Sequence, residues 1–201
     1  HATLLQALLA ARGIESTQAL VNAGSVYRLP KIPVVSSVNH VISYLPEFDL
    51  YLDSTSDSTP FGMLPRADRG KPVLLVSDYK EGAVTPVPPP GANSQNVKSG
   101  LKIGDDGSVT GSIEISQKGD SAVGTRAWAR TLTREWEDQF VENLFRSRGM
   151  VGFGKLVKDD ATALADTYHY RIDMTAEKFI RFPGAGAFYL APPANVAGTI
   201  Q

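Results

Sequence analysis

Residues 82–99 carry Pro86, Pro88, Pro89, Pro90 and Gly91 among small polar residues. Proline lacks an N–H and fixes φ, so a stretch built this way is stiff and extended and cannot join a central strand. The chain of 201 residues is therefore expected to fold in two parts, residues 1–80 and 100–201, with residues 81–99 as the linker. Parts of that size can each bury a core.

The first part opens on His1-Ala-Thr-Leu-Leu-Gln-Ala-Leu-Leu-Ala-Ala11, with leucines at 4, 5, 8 and 9. That spacing predicts a helix with one buried face, stopped by Arg12-Gly13. The helix has no capping residue before it, which is the pattern of a chain that begins inside a helix, with an N-terminal portion lying upstream. Strands follow over Thr17–Ser25, centred on Ala19–Ala23, and over Val38–Leu45. Pro46-Glu-Phe-Asp49 then turns the chain into a returning strand at Leu50–Asp53, and a short apolar strand is expected at Pro72–Ser77. In the second part Asp106-Gly107 marks a hairpin, and Ala122–Arg148 reads as one long helix whose buried side includes Trp128, Leu132 and Trp136. Two more strands are expected near Gly152–Val157 and Thr167–Met174, then a short apolar piece at Phe188–Leu190. The fold class is α+β.

Composition narrows the function. A formal net charge of −1 leaves no electrostatic footprint for nucleic acid or an anionic membrane. No stretch approaches the roughly 18 apolar residues of a membrane span. The chain has no cysteine, so it holds no disulfide, no thiolate metal site and no cysteine nucleophile of its own.

One pair can carry chemistry. His40 and Asp53 stand on the two arms of the hairpin that turns at residues 46–49. If the paired residue numbers sum to an odd value, the two side chains share a face on adjacent strands. A carboxylate beside an imidazole fixes the ring's tautomer and stabilises its charged form, as acyl transfer requires. A half-exposed strand histidine near a loop acid has the same spacing, so a structural role stays open at this point.

The surrounding residues add a resemblance. His1-Ala-Thr-Leu-Leu-Gln-Ala-Leu-Leu9 resembles the helix after the catalytic cysteine of bacterial transglutaminase-like proteins, whose pattern reads Gly-Asp-Cys-Lys-Asp-His-Ala-x-Leu-Leu. Asn39-His40-Val41-Ile42 is similar to that family's histidine strand, and Leu52-Asp53-Ser-Thr55 to its aspartate strand. Phe61-Gly-Met-Leu-Pro65 and Gly70-Lys-Pro-Val-Leu-Leu-Val76 match the segments downstream of the aspartate strand in the subgroup with an extra N-terminal domain of unknown function. The resemblance covers residues 1–77. It implies the C-terminal portion of a papain-like Cys-His-Asp core, a helix on antiparallel strands. His40 would be the general base and Asp53 its orienting partner. The nucleophilic cysteine would stand three positions before His1, outside these residues, so the chain alone is expected to be inactive.

The implied reaction is thiol acyl transfer or amide hydrolysis on a protein or peptide, with no cofactor and no metal. The implied partner is the N-terminal part of the same protein, and relatives are often exported or membrane-linked. A cysteine peptidase with the same triad and a non-catalytic interaction module are the competing classes. His1 fits the pattern but is assigned no role.

Other signals carry less. Gly149-Met-Val-Gly-Phe-Gly154-Lys155 has P-loop spacing, but Leu156 replaces the Ser or Thr, and helix–loop–strand is the wrong order. Arg126, Arg130 and Arg134 recur every four residues and read as a solvated helix face. His169, between Tyr168 and Tyr170, has no acid at matching spacing and reads as structural. Asp53–Asp57 lacks the order of a calcium loop, and the histidines at 1, 40 and 169 do not suggest zinc.

Overall fold

The computed structural model describes residues 1–24, 26–32, 34–77 and 81–180. The chain is α+β, with two four-stranded antiparallel sheets and three α-helices among those residues. It divides into two compact units, His1–Pro90 and Gly91–Gln201.

In the first unit, helix α1 (Ala2–Ala10) packs on strands β1 (Thr17–Val21) and β2 (His40–Leu45). β3 (Leu50–Leu52) and β4 (Leu74–Leu75) complete the sheet in the order β3-β2-β1-β4. The hairpin turn is a short 3-10 helix at Pro46–Phe48. Asp49 follows it in the left-handed region at φ 47°, where an aspartate is tolerated better than most residues. Alternation along β2 and β3 sends Ile42, Tyr44 and Tyr51 into a core with Ala19, Val21, Leu64, Val73 and Leu75. Tyr44 and Tyr51 are cross-strand partners, with ring centroids 4.5 Å apart.

The first helix differs from expectation in its buried face. Ala2 is buried and Leu5 and Leu9 are half-buried, while Leu4 and Leu8 are 65% and 58% exposed. At 100° per residue, positions 2, 5 and 9 form one stripe and positions 4 and 8 turn away from it. Its C-terminal end is as expected: Gly13 at φ 72° lets the N–H groups of Gly13 and Ile14 return to Ala10 and Leu9 carbonyls. The strand expected over Pro72–Ser77 is reduced to Leu74–Leu75, because Pro72 has no N–H to donate.

The proline-rich stretch does not behave as one linker. Residues 81–90 belong to the first unit, where Val73 N–H donates to Ala83 O and Thr85 is 2% exposed. Residues 94–99 form the first half of a strand. The prolines sit at 86–90, where no ladder bond is required of them, and Ser94–Ser99 contains none.

In the second unit β5 (Ser94–Ile103) and β6 (Val109–Lys118) form a long hairpin. Gly107 occupies its turn at φ 80°, with the Ile180 carbonyl packed where a Cβ would be. β7 (Val151–Lys158) and β8 (Thr167–Glu177) extend the sheet in the order β5-β6-β8-β7. Val109, Ile113 and Ile115 from β6, and Tyr168, Tyr170, Ile172 and Met174 from β8, meet Phe140, Val141 and Phe145 in one core.

The single helix expected over Ala122–Arg148 is two, α2 (Asp120–Thr131) and α3 (Arg134–Arg146). Leu132 leaves helical geometry, and the Thr133 hydroxyl caps α3 by accepting from Trp136 N–H at 3.2 Å, with Glu135 and Glu137 in the first turn. The apolar spacing runs on through the break because Trp128, Trp136 and Phe140 pack together, with centroids 5.4 to 6.2 Å apart. Arg126 also departs from the solvated face. It is fully buried, donates to the carbonyls of Ala165 and Thr167, and lies 5.5 Å from the Tyr168 ring centroid. The apolar piece at Phe188–Leu190 lies outside the described residues.

Candidate functional site

The β2–β3 register places the two candidate residues. Ser43 pairs with Leu52, Tyr44 with Tyr51 and Leu45 with Leu50, so the paired numbers sum to an odd value. Asp53 therefore follows β3 opposite Ile42, and its side chain falls on the face that also carries His40. His40 begins β2 opposite Val21, the last residue of β1, so the pair sits at one end of the sheet. That end is tied down by Asn39: its N–H donates to Val21 O, and its Oδ1 accepts from Ala23 N–H at 2.8 Å.

His40 Nε2 and Asp53 Oδ2 are 3.1 Å apart, the histidine side chain 24% exposed and the aspartate 3%. The ring presents Nε2 to the carboxylate and so leaves Nδ1 as its second, unassigned nitrogen. Asp53 is held on its other side by Thr55, whose N–H donates to Oδ1 at 2.8 Å. The Thr55 hydroxyl lies 2.8 and 2.9 Å from the two carboxylate oxygens. Burial works to raise the Asp53 pKa, but the Thr55 hydrogen bonds and the His40 ring outweigh it and hold the group below its ordinary value. Asp53 is thus an anion through the neutral range, with a fixed orientation that the Leu-Asp-Ser-Thr order supplies.

The N-terminal end of α1 lies at the same end of the sheet. His1 Nδ1 is 3.1 Å from the carbonyl oxygen of Ser54, the residue after Asp53. The His1 carbonyl accepts the first helical bond, from Leu5 N–H. Gln6 Nε2 donates to Ser16 O and Gln18 Nε2 to Thr3 Oγ1, which fix the helix against the start of β1.

A third acid completes the cluster. Asp68 is 1% exposed and sits in the 3-10 turn Arg66–Asp68. His40, Asp53 and Asp68 each bring one polar atom into a group in which all three lie within 4.8 Å of one another. Sequence reasoning missed Asp68. It stands in a Pro65-Arg-Ala-Asp-Arg-Gly70 loop with no periodicity, and only tertiary closure of that loop brings it to the dyad.

Three such donors could hold a cation, but the Asp53 oxygens already accept from Thr55 and His40. The contacts present, His40 with Asp53 and Asp53 with Thr55, are those of a hydrogen-bonded acid–imidazole cluster.

The second unit contains a histidine–acid pair that the sequence did not signal. His169 Nδ1 lies 3.0 Å from Asp159 Oδ2, and the same oxygen accepts the His169 N–H at 2.8 Å. Both side chains are about half exposed, at 55% and 48%. They border a shallow cavity of about 590 Å³ on the open face of the sheet. Water screens such a pair, and neither group is desolvated as a catalytic acid or base needs to be.

No protein-family model matches the chain, and comparisons with curated proteins and with solved structures likewise returned no match.

Proposed function

We propose that the first unit is the histidine–aspartate portion of a transglutaminase-like thiol acyltransferase or amide hydrolase. In this reading His40 is the general base, and Asp53 fixes its tautomer and stabilises its imidazolium form. The single observation that carries the reading is the 3.1 Å contact of Asp53 with His40 Nε2, which leaves Nδ1 to serve a nucleophile. The position of α1 supports it further. His1 against the Ser54 carbonyl puts the start of that helix at the dyad's end of the sheet, where the resemblance places the thiol one helical turn earlier.

The chemistry follows from those roles. His40 Nδ1 takes the proton of a cysteine thiol, and the thiolate attacks the carbonyl carbon of a glutamine-type amide. The C–N bond breaks as the imidazolium returns its proton to the leaving ammonia, and a thioester remains. An amine then resolves the thioester to a cross-link, or water resolves it to an acid. Asp53 stays ionised throughout and pairs with the transient positive charge on the ring. A helix N-terminus also favours the thiolate electrostatically. The 201 residues contain no cysteine, so the chain by itself forms no acyl-enzyme.

The test compares this chain with one extended to include the residues encoded before His1, each incubated with a glutamine-containing peptide. Ammonia release is expected from the extended chain only, and to be lost in its His40→Ala form. An extended chain with no reactive thiol and no release defeats the proposal.

A further inference from the structure

Asp68 is costly as a purely structural residue. Its Oδ1 is buried without a hydrogen-bond partner, and an unsatisfied buried acceptor destabilises a fold because its lost hydration is not replaced. The turn that carries it is nonetheless fastened with care. The Asp68 N–H donates to Pro65 O at 3.0 Å, and the Asp68 carbonyl accepts from the Thr85 hydroxyl at 2.5 Å. The same hydroxyl accepts from Lys71 N–H at 2.8 Å, and Thr85 N–H donates to Lys71 O at 2.9 Å. Ala67 O takes the Gly24 N–H from the loop after β1. This buried scaffold holds one carboxyl within 4.8 Å of both members of the dyad.

We propose that Asp68 is a positioning residue of the dyad, acting through Asp53 to set how strongly His40 holds a proton. The inference rests on the reading of His40 and Asp53 as the acid–base half of a thiol site, and it names how that site is tuned. The charged groups that face Asp68 are Asp53 at the end of β3, His40 at the start of β2 and Lys71 in its own loop. Burial pushes the Asp68 carboxyl up to about 6; His40 and Lys71 pull against that rise, and the neighbouring Asp53 carboxylate adds to it.

The cluster then has two states. With its proton on, Asp68 donates a hydrogen bond to the Asp53 carboxylate, and the two acids share one negative charge. When the proton leaves to solvent, the imidazole faces two negative charges, its protonated form is favoured, and Nδ1 becomes the stronger base. The site therefore gains basic strength as pH rises through the Asp68 transition.

The experiment uses the 201-residue chain, with carboxyl-carbon labels on aspartate and ring labels on histidine, followed by NMR as pH is varied. The Asp68 carboxyl is expected to titrate at about 6 and to move the His40 ring signals in step. In Asp68→Asn the amide still donates to Asp53 but adds no charge. The His40 ring signals should then lose the step that follows the Asp68 carboxyl in the wild type. A role confined to packing would alter stability and leave the His40 ring response as it is in the wild type, and that result in the folded variant overturns the proposal. If the variant does not fold, the wild-type titration decides alone: an Asp68 carboxyl that titrates in the ordinary carboxylate range refutes it. No nucleophile is needed for these readings. An inactive extended chain with an intact Asp68–His40 response would sink the thiol reading and leave the electrostatic coupling standing.

Discussion

Replacing Asp53 with asparagine separates an oriented dyad from a histidine that merely lies near an acid. The wild-type carboxylate accepts from Thr55 N–H, from the Thr55 hydroxyl and from His40 Nε2, and its side chain is 3% exposed. An asparagine has one oxygen to offer. If that oxygen stays with Thr55 N–H, the amide NH₂ points at His40 and can only meet a nitrogen that accepts. His40 must then move its proton to Nδ1, the tautomer that cannot receive a thiol proton. Hydrogen bonds to a charged group are worth about 1.5–3 kcal/mol each, and one is lost with the other two weakened, so the first unit should lose about 2 kcal/mol.

The pH dependence has a definite sign. The Asp53 carboxyl is held below its ordinary value in the folded chain, so its contribution is present above the unfolded pKa and is lost as pH falls through the folded one. The stability gap between wild type and variant should therefore be widest near neutrality and close in acid. Urea unfolding read from the amide signals of Val21 and Ile42 measures that gap, because both tryptophans lie in the second unit and their fluorescence follows that unit alone. Ring-nitrogen chemical shifts report the tautomer. A variant that keeps the Nε2–H tautomer and loses less than about 0.5 kcal/mol would show that Asp53 does not orient His40.

Three further outcomes are expected from the same packing. Asp68→Asn should raise the stability of the first unit above pH 7 by up to about 3 kcal/mol, since a carboxyl raised to about 6 favours folding only while protonated and loses that advantage as pH rises through 6; urea midpoints at pH 5 and pH 8 check the sign. Thr85→Val removes the hydroxyl that Asp68 O and Lys71 N–H share, and should cost about 2 kcal/mol and speed hydrogen exchange at Lys71. Arg126→Met strips the donors from the carbonyls of Ala165 and Thr167 and the cation from Tyr168. It should cost the second unit about 3 kcal/mol by tryptophan fluorescence in urea, whereas a solvated arginine would cost almost nothing.

What was legible in the sequence was local. The hairpin between β2 and β3 turns over a few residues, so the numbering reduces the shared face of His40 and Asp53 to one condition, an odd-sum register, which the pairing meets. What was not legible depends on distant closure or on competition between neighbours. Asp68 reaches the dyad because Thr85 and Gly24 pin its loop, and nothing within that loop signals it. Asp159 reaches His169 only because β7 and β8 pair.

The break after Thr131 hid inside an unbroken apolar spacing, since a threonine can cap a helix as well as sit in one. Arg126 looked like part of a charged stripe. Its burial goes with hydrogen bonds to carbonyls some 40 residues on, which only the tertiary fold brings to it. The proline-rich segment misled for a related reason: Thr85, within it, is used as a buried fastening of the first unit.

In the proposed reading His40, oriented by Asp53, activates a thiol at the N-terminal end of α1. The most direct measurement is mass spectrometry of the chain extended through the residues encoded before His1, quenched after mixing with a glutamine-containing peptide. The expected result is a covalent adduct on a cysteine, lighter than the peptide by one ammonia, cleaved by hydroxylamine and absent from the His40→Ala form. An extended chain that forms no such adduct, or one whose adduct forms equally well without His40, would contradict it.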